Sequence, residues 1–102
     1  MEEKFEMILC IANSGFSGEV IDVARAVGVT GGTVIHARGT ASKKAEETFQ
    51  ITINPEKDLL IMAVNSKIKD DVLKAIYDRV GIGTNAGAVA FSLPITSSIG
   101  IK

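Results

Sequence analysis

The apolar positions in residues 5–38 predict a strand, a helix and a second strand. Residues 5–12 alternate as a strand does. One face of it holds Phe5, Met7, Leu9 and Ile11, and the other holds Ile8, Cys10 and Ala12. A helix is predicted from Ser17, whose hydroxyl can cap its N-terminus, to about Val27, with Gly28 placed to end it. The β-branched segment 33–38 predicts the second strand.

The second half of the chain predicts another strand, helix and strand. Segments 49–53 and 59–64 form a third strand, bent at Pro55, which cannot donate to a ladder. Ser66 opens a helix that Gly81 ends, with an apolar side chain every four residues, and its stripe is Ile68, Val72, Ile76 and Val80. Residues 88–95 form the last strand. The order β-α-β-β-α-β predicts one domain over residues 1–102, an α+β ferredoxin-like sandwich with both helices on one face of an antiparallel sheet.

The predicted sheet is apolar on both faces. Residues 59–64 have the sequence Leu-Leu-Ile-Met-Ala-Val, which leaves no polar side. Two predicted helices can cover only one face, so a second subunit is expected to cover the other. The alternative is a central strand that is merely apolar.

Composition narrows the class of protein. With 11 basic against 12 acidic residues and a net charge of -1, the chain lacks the basic surface on which nucleic-acid binding depends. The lone Cys10 excludes an internal disulfide and is expected to be a small buried apolar residue. The acidic N-terminal residues and the absence of a long apolar segment predict no signal peptide and no membrane insertion. We therefore expect a cytoplasmic protein.

Glycines surround the second strand and precede the last one. Residues 28–33 read Gly-Val-Thr-Gly-Gly-Thr, and residues 81–91 read Gly-Ile-Gly-Thr-Asn-Ala-Gly-Ala-Val-Ala-Phe. Together with Pro55-Glu56-Lys57 and the apolar run after it, these segments resemble the PII and PII-like nitrogen-regulatory signalling proteins over about residues 5–95. The resemblance implies a homotrimer with small-molecule sites in the clefts between subunits. It also implies a regulated target, often a membrane transporter or a metabolic enzyme.

The resemblance also implies which residues contact the ligand. Thr33 matches a threonine near the bound adenine, Gly39 matches a glycine at the base of a long loop, and the segment before the last strand matches a phosphate-cradling loop. The full set of implied ligand-binding residues is Thr33, Arg38, Gly39, Gly83, Thr84, Gly87, Ala88 and Val89. No catalytic residue, metal ligand or required cofactor is implied.

The chain lacks positively charged residues that the family has at its ligand site. Where the family has Gly-Asp-Gly-Lys, residues 86–89 are Ala-Gly-Ala-Val, which keep backbone amides but lack the lysine. The family's tail arginines fall on Gly100 and Lys102. Arg38 and Lys102 are then the candidate cations, joined by Lys43 and Lys44 if the loop folds inward. ADP or AMP is therefore expected to bind at least as well as ATP, with a cyclic nucleotide or a smaller anion as the alternative.

Residues 40–48 correspond to a shortened form of the family's loop. The segment contains no tyrosine, so the uridylylation known in enteric members has no acceptor there. Its polar side chains are expected to recognise the regulated partner, although they would also suit a solvated loop tip. They are Ser42, Lys43, Lys44, Glu46 and Glu47.

The sequence offers no catalytic set. His36 has no second histidine or cysteine at metal-ligand spacing, so a structural or hydrogen-bonding role is expected. No Ser-His-Asp set or phosphate-binding Walker loop can be assembled. The leading hypothesis is a non-enzymatic PII-like sensor. The alternatives are a structural trimer that needs no ligand, a sensor of a non-nucleotide anion and a small hydrolase on the same fold.

Overall fold

The computed structural model describes residues 4–40 and 55–101. Its elements are β1 (Phe5–Asn13), α1 (Ser17–Val27), β2 (Thr33–Arg38), β3 (Glu56–Asn65), α2 (Lys69–Val80) and β4 (Val89–Pro94). The predicted order β-α-β-β-α-β is confirmed.

The four strands form one sheet in the order β2-β3-β1-β4. Every neighbouring pair is antiparallel, and Leu9 of β1 lies between Ile61 of β3 and Phe91 of β4. The two central strands, β1 and β3, therefore separate the edge strands β2 and β4. This topology, with the two helices, confirms the predicted ferredoxin-like fold.

The core lies between the sheet and the helices. In β1 and β3 the apolar helix-facing side chains are buried, including Ile8, Leu60 and Met62 at 0% exposure. They join one cluster with buried residues of α1 and α2, such as Val20 and Ile76. Burying a side chain of this size stabilises a fold by about 1.5–3 kcal/mol, so this layer is the main stabilising element of the subunit.

The opposite side of the sheet carries apolar side chains that remain partly exposed. We call this side the open face. Its exposed fractions include 38% for Ile11, 44% for Ile35 and Phe91, and 47% for Val89. The register places further apolar side chains on the same side, namely Met7, Leu9, Leu59, Ile61, Ala63 and Leu93. The prediction that the sheet is apolar on both faces is confirmed.

Cys10 lies on the helix-facing side of β1 and is 0% exposed. Burial raises the pKa of its thiol to about 11, because the thiolate cannot be solvated there. The prediction that Cys10 is a small buried apolar residue is confirmed.

The cap of the first helix and the start of the second differ from the prediction. Ser17 is the first residue of α1 rather than its cap; Phe16 takes the cap position, and no side chain caps the helix. The second helix begins at Lys69, not at Ser66. A turn over residues 66–68 precedes it, and the side chain of Asn65 accepts a hydrogen bond from the Lys67 amide at 2.9 Å. The local asparagine contact favours a turn over an earlier helical start.

Two strand boundaries also differ from the prediction. β3 begins at Glu56, before the apolar run, because the backbone of residues 56–58 continues the ladder with β2 and β1 regardless of side-chain polarity. β4 is shorter than predicted by one residue at each end. The predicted strand segment 49–53 lies outside the described residues. Gly28 ends α1 as predicted, at a φ of 123° that favours glycine.

Candidate functional site

The predicted ligand-binding residues fall into two groups at opposite edges of the sheet. Thr33 and Arg38 lie in β2, where they pair with Ile61 and Glu56 of β3. Val89 begins β4, at the other edge. Neighbouring strands are about 4.8 Å apart, so the two edge strands lie about 14 Å apart. One chain therefore does not bring the two groups into contact.

The β2 group is exposed to solvent. Every residue of β2 is exposed, and alternation puts Thr33 on the open face and Arg38 on the helix-facing side. Gly39 follows directly, and its amide donates to the Pro55 carbonyl at 2.7 Å. A Cβ at Gly39 would lie 3.1 Å from Cγ of Lys57, so glycine permits the close approach of that lysine.

The glycine-rich loop after α2 is held by its own hydrogen bonds. The Thr84 hydroxyl donates to the Gly81 carbonyl at 2.7 Å, and the Gly87 amide donates to the Thr84 carbonyl at 3.1 Å. The Ala88 amide donates to the Val80 carbonyl at 2.8 Å. The amides of Gly87 and Ala88, two of the predicted phosphate contacts, therefore already have partners in this conformation.

Beside this loop, a cavity of about 170 Å³ borders the edge of β4. Its lining includes Ala88 and Val89 of the predicted site, together with Tyr77 and Ile82, which are both 72% exposed. Pockets that hold whole small-molecule ligands measure about 300–1,000 Å³. This cavity is too small to enclose a nucleotide without walls from another molecule.

A lysine and an asparagine connect the two groups. The ammonium of Lys57 donates to the side-chain oxygen of Asn13 at 2.6 Å. The side-chain amide of Asn13 donates to the Asn85 carbonyl at 2.9 Å, and a Cβ at Gly87 would lie 3.3 Å from that nitrogen. Sequence analysis did not single out Lys57. Had β3 been predicted to begin at Glu56, alternation would have placed Lys57 on the same face as Leu59 and Ile61, but only the register of β1 and β3 pairs it with Asn13.

His36 is hydrogen-bonded to Asp58, so the predicted hydrogen-bonding role is confirmed. Its Nδ1 lies 2.8 Å from Oδ1 of Asp58, whose side chain is 2% exposed. The Gly15 amide donates to the other carboxylate oxygen at 3.4 Å. Because a carboxylate only accepts, Nδ1 carries the proton and the lone pair of a neutral ring lies on Nε2. The His36 side chain is 87% exposed, so Nε2 is open to solvent.

Several predicted residues lie outside the described ranges. They are Ser42, Lys43, Lys44, Glu46 and Glu47 of the predicted partner loop, and Lys102 of the tail. Among residues 4–40 and 55–101, no cluster of three histidine, cysteine, aspartate or glutamate side chains is placed to hold a metal ion. Neither of the two helices in those ranges is long and apolar enough to cross a membrane.

No protein-family model matches this sequence, and no curated protein sequence matches it significantly. Solved structures do match. A PII-like signalling protein from Thermus thermophilus superposes with a TM-score of 0.68 over 93% of this chain and 90% of its own, at 14% identity. The chain has the fold of the PII proteins. The PII protein of Arabidopsis thaliana, solved with bound citrate, gives a TM-score of 0.66 over 92% of this chain and 77% of its own, at 19% identity.

The PII fold was predicted from the order of elements and the glycine-rich segments, and the structural match confirms it. At 14% and 19% identity the match concerns the backbone and not the side chains of the site. The ligand-binding roles of Thr33, Arg38 and the glycine loop therefore stay predictions.

Proposed function

We propose that this chain is a cytoplasmic PII-like signal-transduction protein that acts as a homotrimer. It binds a small anionic effector, an adenine nucleotide such as ADP, AMP or ATP, in the clefts between subunits. Binding changes the order of residues 40–48, and this change regulates a membrane transporter or a metabolic enzyme. It carries out no catalysis itself.

The separation of the two residue groups carries this proposal. Thr33 and Val89 lie on opposite edges of one sheet, and the cavity beside Val89 is too small for a nucleotide. If the β2 edge of one copy lies next to the β4 edge of another, both groups face one cleft. Covering the partly exposed open face would stabilise the assembly, because it removes apolar side chains from water.

The chemistry of the cleft favours an anion. Thr33 and Arg38 lie along the β2 edge on opposite sides of the strand, and their hydroxyl and guanidinium suit a polar ring atom and a phosphate or carboxylate respectively. The Arabidopsis PII in the comparison holds citrate, which is also a multiply charged anion. Because the loop over residues 81–88 contains no lysine or arginine, ADP or AMP should bind at least as well as ATP.

One observation favours the structural trimer that needs no ligand. The amides of Gly39, Gly87 and Ala88 all donate within the chain, as they would if the glycines served only tight turns. A sensor of a non-nucleotide anion would keep the same cleft. A hydrolase would need a nucleophile next to His36, and in the described part of the chain the hydrogen bond of His36 is to Asp58.

Two measurements test the proposal. Light scattering at micromolar concentration should give three times the 10.8 kDa mass of one chain. Calorimetry with ADP, AMP and ATP should detect binding, with ADP or AMP at least as tight as ATP. A stable monomer would remove the cleft and contradict the proposal. A trimer that releases heat with no adenine nucleotide would favour the structural trimer or a different anion.

Shortening the loop tests whether residues 40–48 bind the regulated target. Replacing residues 41–48 with an Asn-Gly turn should leave the trimer and most of its thermal stability intact, because the strands and helices hold the core. Target binding, measured by capture from lysate with the intact chain as the reference bait, should be lost. If the shortened chain captured the same partners, recognition would lie on another surface.

A further inference from the structure

We propose that His36 is a phosphorylation site, whose Nε2 accepts a phosphoryl group while the buried carboxylate of Asp58 holds the other ring nitrogen. The donor is a phosphoramidate, a compound in which the phosphoryl group is bonded to nitrogen. The proposal concerns a covalent modification of the chain and goes beyond the proposed function. It does not depend on which effector the chain binds.

The burial of Asp58 is the first observation. Asp58 is the buried charged residue of the described part of the chain, at 2% exposure. A carboxylate removed from water is destabilising unless other groups compensate its charge. Its oxygens contact Nδ1 of His36 at 2.8 Å and the Gly15 amide at 3.4 Å, and no described lysine or arginine forms an ion pair with it. Among the described residues, the His36 ring is therefore the side chain that can bring positive charge to this carboxylate.

The contact with Asp58 also selects the reactive nitrogen of His36. Because Nδ1 donates to the carboxylate, the lone pair of the neutral ring lies on Nε2. A histidine held in this way keeps one tautomer and one direction, as the histidine of a Ser-His-Asp triad does. The side chain is 87% exposed, so this lone pair points into solvent as a nucleophile.

The position of His36 leaves Nε2 accessible to a donor. His36 pairs with Asp58, and the register places both on the helix-facing side of the sheet with Val34 and Leu60. The helices cover Leu60 but not the edge strand, since Val34 is 41% exposed. The proposed trimer covers the opposite side, the open face. A phosphoryl donor can therefore approach His36 in the assembled protein.

Arg38 supplies a partner for the phosphoryl oxygens. It lies two residues beyond His36 on the same side of β2, at a spacing of about 7 Å along the strand. The ion pairs of the described residues do not include Arg38. A guanidinium binds two oxygens of a phosphoryl group at once. Arg38 can thus orient the donor and then hold the group on His36.

The transfer replaces one P–N bond with another. The lone pair of Nε2 attacks the phosphorus atom, and the P–N bond of the donor breaks. The electron pair of that bond leaves with the amine, which takes up a proton from water. The ring keeps the proton on Nδ1 and becomes positively charged, and the Asp58 carboxylate stabilises this charge. No oxidant, reductant or metal ion takes part.

Reaction of the full chain with potassium phosphoramidate at neutral pH tests the proposal. The chain contains one histidine, so its mass should increase by one phosphoryl group, which acid removes and alkali does not. Phosphorus NMR should place the group on Nε2 alone. N-acetylhistidine is the reference, because both of its ring nitrogens are open, and it should react about tenfold more slowly. Reaction no faster than the reference, or modification at Nδ1, would overturn the proposal.

Variants separate activation by Asp58 from mere exposure of the ring. Asp58→Asn keeps the size of the side chain but removes its charge, so the reaction should slow about tenfold or more and lose its preference for Nε2. His36→Gln should give no acid-labile product. An Asp58→Asn protein that reacts like the wild type would contradict the proposal.

A second pair of variants tests the arginine and guards against loss of the fold. Arg38→Gln should slow the reaction about threefold, whereas Arg79→Gln, which changes an exposed arginine of α2, should leave it unchanged. Circular dichroism shows which variants are folded. If Asp58→Asn does not fold, Arg38→Gln and the comparison with N-acetylhistidine decide the outcome. Equal rates for both arginine variants and the wild type would remove Arg38 from the site.

Discussion

The two faces of the sheet are built from equally apolar side chains, yet their surroundings differ. Leu60 faces the helices and is fully buried, whereas Phe91, on the open face, is 44% exposed. The helix-facing side is completed by the chain's own α1 and α2. Among the described residues, nothing covers the open face in this way. If the proposed trimer covers it, folding and assembly use separate residues, and each can be disturbed alone.

The largest expected effect is on the helix-facing side. Leu60→Ala leaves a cavity in the buried layer, and the free energy of unfolding should fall by about 2–5 kcal/mol. Urea denaturation followed by circular dichroism measures it. The control Ile82→Ala removes a side chain that is 72% exposed and should change stability by less than about 0.5 kcal/mol. Equal losses from both variants would contradict the difference between buried and exposed positions.

The next effect concerns the open face. Phe91→Glu places a charge where a neighbouring subunit is expected, so the trimer should dissociate while each chain stays folded. Light scattering measures the mass, and circular dichroism measures the fold. Ala26→Glu is the control, because Ala26 is an exposed residue of α1, away from both the open face and the β4 edge. A Phe91→Glu protein that remained trimeric would mean that assembly uses another surface.

A smaller effect is expected at the edges of the sheet. Thr33→Ala removes a polar ligand contact and should weaken adenine-nucleotide binding by about 0.5–1.5 kcal/mol. Gly87→Asp places a carboxylate next to the anion and should weaken adenine-nucleotide binding at least as much. Calorimetry gives both values, and neither variant should alter the mass in light scattering. Unchanged affinity in both would place the ligand elsewhere.

The effect that is smallest near neutral pH comes from Cys10 on the buried side. Its folded-state pKa is raised to about 11 from the ordinary 9.0, so the fold favours the neutral thiol. This contribution to stability is complete below about pH 9, the ordinary pKa of the thiol, and declines as the pH rises through the folded value. Between pH 9 and 11 the stability of the wild type should therefore fall more steeply than that of Cys10→Ala, measured by urea denaturation. Parallel declines would contradict the raised pKa.

The predictions made from sequence succeeded where spacing along the chain determines the outcome. Alternation in residues 5–12 assigned both faces of β1, and the four-residue repeat of α2 identified Val72, Ile76 and Val80 as buried. The predicted cap at Ser17 and the predicted helix start at Ser66 were wrong, because a serine at the right position does not ensure a cap. At Ser17 the chain provides no side-chain cap, and at Ser66 the Asn65 contact forms a turn instead.

The candidate site was predicted less completely. The glycines that permit close contacts at positions 39 and 87 were identified from sequence, but the side chains that they contact were not. Lys57 and Asn13 are 44 positions apart, and nothing in the sequence relates them. The register of β1 and β3 puts them opposite each other. His36 and Asp58 meet in the same way, through the register of β2 and β3.

The sequence by itself determined the order of elements, the two apolar faces of the sheet and the burial of Cys10, because each depends on the period of side chains along one segment. Only the tertiary structure decided which face the helices cover, that Thr33 and Val89 stand at opposite edges, and that Lys57 and Asn13 meet beside the glycine loop. These contacts depend on strand pairing between distant segments. The packing of the whole sheet against its helices selects which strands pair and in which register. The pattern within one segment does not contain this information.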